Sequence, residues 1–313
     1  MQTRTETLRQ VMDGALWLTD GGLETVMVFL EGLDLPQFAS FPLLDSVAGR
    51  AALTRYYTAF LDEAAVQKAG FVLDTATWRA SQGWGEVMGL DAGAIDAANE
   101  QAVALVKGLR ADRRSHGQGI VINGVVGPHG DAYAPDQTLT AAAAQAYHQR
   151  QVEVLAAAGV DLISAMTISS LGEAIGIARA AQAVDQPVAL SFTLETDGRL
   201  ISGMTLEEAV RRTDDATDAA PIWYGINCAH PDHFRHILTG DWVGRIGSVR
   251  ANASRRSHAE LDEATVLDDG DAEGLAQDYT LLAQMLPGLR VVGGCCGTDL
   301  RHVAAIGRRC LQH

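Results

Sequence analysis

Asp161-Leu162-Ile163-Ser164-Ala165-Met166-Thr167 is a mostly apolar run, too short for a helix and without the alternation of a half-exposed strand. Such a run suits a strand covered on both faces, as in a parallel sheet. Before it lies 140–158, Ala-rich with an apolar stripe through Val152 and Leu155 and a stop at Gly159, which reads as a helix. Similar runs recur at 15–19, 71–77, 119–126, 187–193, 222–228, 245–251 and 289–295, each followed by a segment of helical character. Further helix signals are the apolar spacing over 53–69 with a stop at Gly70, a Thr205 cap with Glu208 behind it, and an amphipathic 299–309. Eight strand–helix units predict an α/β fold, a closed (β/α)8 TIM barrel occupying 1–313 as a single domain. The runner-up, an open doubly wound sheet, lacks its G-x-G-x-x-G turn after the first strand. Two stretches, 31–42 and 254–271, read as loops. The second is acidic and, following the seventh strand, belongs to the functional rim of a barrel.

The 313 residues are 47% hydrophobic and 20% charged, a globular composition, with a formal net charge of −15. That field repels phosphate backbones, and the nearest approach to a basic patch is the pair Arg255-Arg256, so no nucleic-acid partner is expected. No run approaches about 18 apolar residues, so no membrane span is expected. The polar stretch 1–9 lacks the core of a secretory signal, which makes the cytoplasm the expected location.

Four cysteines are too few for a disulfide scaffold and are better read for metal or catalysis. Cys228 ends the sixth run, and Cys295 and Cys296 end the eighth. In a barrel those strand ends share one rim with a single strand between them, so the three thiols can converge. Three thiolates at one point match zinc with an open fourth position, with Zn–S bonds of about 2.3 Å. An incoming thiol taking that position would lose its proton at neutral pH and become a nucleophile. The glycines flanking Cys295-Cys296 favour this over buried cysteines acting as small hydrophobes. Cys310, in the last helix, reads as core. His230 could close the site as a fourth ligand, but a loop His before Pro231 more often supports a site from outside.

Thr19-Asp20-Gly21-Gly22-Leu23-Glu24-Thr25, Asn123-Gly124-Val125-Val126-Gly127-Pro128, Ile226-Asn227-Cys228 and Gly293-Gly294-Cys295-Cys296-Gly297-Thr298 together resemble the homocysteine S-methyltransferase family over residues 20–306. The resemblance implies a (β/α)8 barrel with zinc on Cys228, Cys295 and Cys296, and homocysteine bound through sulfur to that zinc. It places Asp20 near the acceptor's amino-acid part and Asn252 where the family carries an Asn that orients acceptor or donor. Members commonly carry a Glu after strand four that holds the homocysteine amine. Here Met166, in Ser164-Ala165-Met166-Thr167-Ile168, stands in its place. A thioether cannot neutralise an ammonium. Either another acid takes over, with Glu24 and Glu195 the candidates, or the acceptor is not homocysteine. Trp78, past the second strand, is a candidate wall for an onium donor. Plainer roles stand beside these: Asp20 and Glu195 as turn residues, Asn252 as a partner of loop backbone, Trp78 as packing under the rim. From this length, no cobalamin or folate module is expected behind the barrel.

The leading expectation is therefore a zinc-dependent S-methyltransferase. It would move a methyl group from S-methylmethionine, S-adenosylmethionine or betaine to a thiol, by default homocysteine, giving methionine. A methyltransferase with another acceptor, or a zinc- or thiol-binding protein without turnover, is the alternative raised by Met166. A zinc hydrolase is disfavoured, because no H-E-x-x-H segment exists and three thiolates activate water poorly.

Overall fold

The computed structural model describes residues 4–113, 119–133 and 138–311. Of the polar stretch 1–9, residues 1–3 lie outside the described residues. The eight apolar runs become eight strands: β1 (Trp17–Leu18), β2 (Phe71–Asp74), β3 (Ile120–Val126), β4 (Leu162–Ile168), β5 (Val188–Phe192), β6 (Pro221–Asn227), β7 (Ile246–Ala251) and β8 (Val291–Gly294). All neighbours pair in parallel, and β8 pairs with β1 to close the barrel. Helices fill the crossovers and cover the outside, so Leu18, Phe71, Leu73, Ile122 and Ile163 are buried from that side.

Along each strand the side chains alternate, and the inward set changes character with height. At the N-terminal end Trp17, Val72, Val121, Leu162, Trp223 and Val291 form an apolar floor. The helix Arg4–Met12 plugs this floor from below with Leu8 and Val11. Little in the sequence marks that helix, because Leu8, Val11 and the exposed Met12 are its only apolar residues. Two residues further up, the inward positions are polar and buried: Thr19, Asp74, Asn123, Ser164, Ser191 and Ser248. Gly225 completes this belt, since a Cβ there would collide with the Ser191 and Ser248 hydroxyls. Above the belt the barrel opens toward its C-terminal rim.

The helix Ala141–Ala158 begins at Thr140, whose side chain accepts the Ala143 N–H, and ends at left-handed Gly159, as its sequence predicts. The helix Val47–Val66 departs from expectation. It ends with Lys68 in the left-handed region, and Gly70 instead leaves room for the Trp17 indole. Thr205 caps Leu206–Thr217, but the Glu208 carboxylate pairs with Arg212 at 2.8 Å and does not turn back to close a capping box. The two expected loops carry short helical turns: Pro36–Phe38 and Phe41–Asp45 in the first, and His258–Asp262, with a full Ser257/Glu260 capping box, in the second. No helix among the described residues is long and apolar enough to cross a membrane.

Candidate metal centre and its two chambers

β7 brings the cysteines together. Its end lies between those of β6 and β8: the Cys228 N–H donates to the Arg250 carbonyl, the Cys295 N–H to the Ala251 carbonyl, and the Ala253 N–H to the Cys296 carbonyl. The three Sγ atoms lie within 4.8 Å of one another, with Cys228 at 2.7 Å from Cys295 and 3.7 Å from Cys296. No disulfide links them. Cys228 adopts a left-handed backbone (φ 55°), a strained conformation for a side chain of this type. Thr167 on β4 is left-handed too (φ 63°). The Asn227 carboxamide clamps it, accepting the Thr167 N–H at 2.8 Å and donating to its hydroxyl at 2.9 Å. Gly22 lets the turn after β1 approach, since a Cβ would lie 2.5 Å from the Cys295 carbonyl oxygen.

The electrostatics of the cluster are those of one thiolate shared by three sulfurs. Hydrogen bonds from Cys228 and Cys296, together with the Arg250 charge, hold Cys295 well below the ordinary thiol range. The same bonds, with burial, push Cys228 and Cys296 up. A divalent cation fits this donor set. It would take the place of the two remaining protons, and a 3.7 Å edge is close to the ~3.8 Å between ligands of a tetrahedral site with 2.3 Å bonds. The shorter Cys228–Cys295 edge would open by about 1 Å to admit it.

Two chambers meet at the sulfurs. The inner one lies inside the barrel, and Asp20, Glu24, Asp74, Met166 and Arg250 are on its wall. The outer one, the roomier of the two, lies over the rim, with Phe29, Tyr133, Asn252, His258 and Val266 on its wall. Trp78, Phe38, Cys228 and Cys296 border both. Arg250, near the end of β7 and with its side chain only 11% exposed, donates through Nη2 to Asp20 Oδ1 and through Nη1 to Asp74 Oδ2. Its Nε reaches the Gly294 carbonyl at 3.0 Å, and Asn123 donates to Asp74 Oδ1 at 2.7 Å. Burial pushes the Asp20 carboxyl up to about 7, against the pull of Arg250. Burial also raises Glu24, whose Oε1 accepts the Ser40 hydroxyl at 2.8 Å.

Of the residues singled out in the sequence, Asp20, Glu24 and Met166 fall on the inner chamber, Asn252 on the outer, and Trp78 between them. Met166 occupies a bulge in β4, and its carbonyl faces Trp78 Nε1 at 3.4 Å. The Asn252 side chain is buried, with no protein partner for Oδ1. Glu195 is off both chambers: its backbone closes a hairpin with Arg199, and its neighbours are Asp197 and His233. His230 turns away from the sulfurs, accepting the Asp232 N–H to cap Pro231–Phe234, and burial lowers it to about 4. Cys310 packs half-buried on the core. Arg255 and Arg256 are paired with Asp232 and Asp268, so they offer no basic patch. Arg250 and Asp74 escaped the sequence reading. The signal was a charged residue inside a run covered on both faces, which requires a buried partner.

Known proteins resemble this chain. The family model for homocysteine S-methyltransferase matches residues 17–310. The homocysteine S-methyltransferase of Escherichia coli (strain K12) is 26% identical over 246 residues, which are 75% of this chain and 78% of that protein. Homocysteine S-methyltransferase 3 of Zea mays is 28% identical over 171 residues, 52% of this chain and 48% of that protein. Among solved structures, the metallated form of the homocysteine methyltransferase MmuM from Escherichia coli shares the fold with a TM-score of 0.75 at 23% identity, over 98% of this chain and 100% of that one. With the family model spanning the barrel from its first strand to its last helix, the chain belongs to the homocysteine S-methyltransferase family of enzymes.

Proposed function

We propose that this chain moves a methyl group from a small onium donor to a thiol acceptor held on zinc by Cys228, Cys295 and Cys296, with homocysteine as the family's default acceptor. The observation that carries the reading is that three thiols meet at the junction of two chambers, one for each substrate. Zinc bound there would supply an open position at which the acceptor sulfur is held as thiolate at neutral pH. Asp20 and Glu24, on the inner wall, hold the acceptor's ammonium in place of the family's missing acid at Met166. Trp78 and Tyr133, on the outer wall, offer electron-rich faces to an onium centre. The walls of the two chambers align the acceptor sulfur with the donor methyl. An S–C bond then forms as the methyl–onium bond breaks, and the donor leaves neutral.

The test pairs metal analysis with a substrate panel. The protein should hold about one zinc, in line with a three-cysteine site, and Cys296→Ala should lose it. Thiols offered with S-methylmethionine, S-adenosylmethionine or betaine should yield a methylated thiol from at least one pair. Bound zinc with no methylated thiol from any pair would favour a thiol-binding protein, the reading that Met166 keeps open.

A further inference from the structure

The three sulfurs do not face the two chambers alike. Cys295 borders the inner chamber and not the outer, and its Sγ lies 3.9 Å from Asn227 Nδ2. Cys228 borders both chambers but is buried, and the Tyr133 hydroxyl hydrogen-bonds to its sulfur. Cys296 borders both and is half-buried, and the contacts of its sulfur are with the other two sulfurs. Beside it on the outer wall stands Gly297, which has no side chain to screen it. An N–H or O–H aimed at a sulfur draws charge from it and blunts its attack. Once zinc replaces the remaining protons, all three sulfurs are thiolates. Cys296 is then the one that is open to the outer chamber without such a donor among the described residues.

We infer that Cys296 is a methylation site of the protein itself: with an onium donor in the outer chamber and no acceptor thiol present, its sulfur takes the methyl group. The S–C bond forms from the thiolate's lone pair. The methyl–onium bond breaks and its pair stays with the donor, which leaves neutral, so no proton, oxidant or reductant is needed. The product is a thioether, which brings no charge to a divalent cation, and the modified site therefore loses its zinc. A bound acceptor competes for the same methyl, so the cysteine is modified when donor outruns acceptor, and the protein is then switched off. The inference rests on the proposed function, since it takes the outer chamber to hold the donor.

The test incubates the zinc-loaded protein with S-methylmethionine, S-adenosylmethionine or betaine, one at a time and without a thiol. Intact mass, peptide mapping and zinc content are the readouts. At least one donor should add the mass of one CH2 group to most chains, the peptides should place it on Cys296, and zinc should be lost in step with it. L-Homocysteine in excess should suppress the modification at least tenfold. A methyl group on Cys228 or Cys295 in place of Cys296, one spread evenly to Cys310, or a modification undiminished by homocysteine overturns the inference. So does a protein left unmodified by a donor that methylates homocysteine, and in that case the proposed function stands. If no donor methylates either homocysteine or the protein, both fall.

Discussion

Arg250 ties together parts of the chain that lie 176 and 230 residues apart. Removing one partner of a buried ion pair costs more than the pair contributes, because the stranded charges stay buried. Arg250→Met should therefore destabilise the fold by about 3–5 kcal/mol in urea titration, whereas exposed Arg212→Met should cost under about 1 kcal/mol. Asp20 gives a pH signature. Its folded value, about 7, exceeds the ordinary 3.8, so between those values the folded state binds a proton that the unfolded state has released. The metal-free protein should lose stability as pH rises from about 4 to about 7, and Asp20→Asn should flatten that slope. A slope unchanged by the substitution would assign it elsewhere. The sequence announced the cysteines at this scale, because vicinal thiols among glycines are a local pattern. Arg250 and Asp74 look like isolated charges in apolar runs, and nothing local names their partners. Glu195 misled for the converse reason, since a strand-end acid looks the same whether it faces a chamber or closes a hairpin.

The strand–helix units were legible because a strand covered on both faces must be apolar throughout and the following helix must start and stop with recognisable caps. The segment 254–271 was harder. Its charges suggested a solvated loop, yet Leu261, Val266 and Leu267 line the outer chamber, and a short helix positions His258. The His258 ring stacks on Tyr133 at 3.9 Å, its Nε2 lies 3.4 Å from the Thr193 hydroxyl, and Cys295 and His233 are its ionisable neighbours. Burial lowers His258 to about 4 from 6.5, so the docked segment favours the neutral ring. In that interval the undocked form binds the extra proton, and docking weakens as pH falls from about 6.5 toward 4. Hydrogen exchange, corrected for its intrinsic pH dependence, should show 254–271 opening more at pH 5 than at pH 7. His258→Phe, which keeps the ring but cannot take the proton, should abolish the difference. Equal opening of the wild type at both pH values would show that the histidine does not couple docking to protons.

Across the whole molecule the barrel divides by height. An apolar floor sealed by Leu8 and Val11 carries stability, a polar belt with the inner chamber above it comes next, and the rim holds the thiols and the outer chamber. Leu8→Ala combined with Val11→Ala should cost about 2–5 kcal/mol of stability while leaving zinc content unchanged. Loss of zinc in that variant while it remains folded would show that floor and rim are coupled. The belt was hidden from the sequence because the barrel's inward face is apolar only at its base.

The account depends on a zinc ion held by the three cysteines with one position left for a thiol. X-ray absorption at the zinc edge of the loaded protein measures this directly. It should count three sulfur neighbours and one lighter atom without acceptor, and one sulfur more when the acceptor thiol is added. Fewer than three sulfurs in the first spectrum, or no gain in the second, would contradict it.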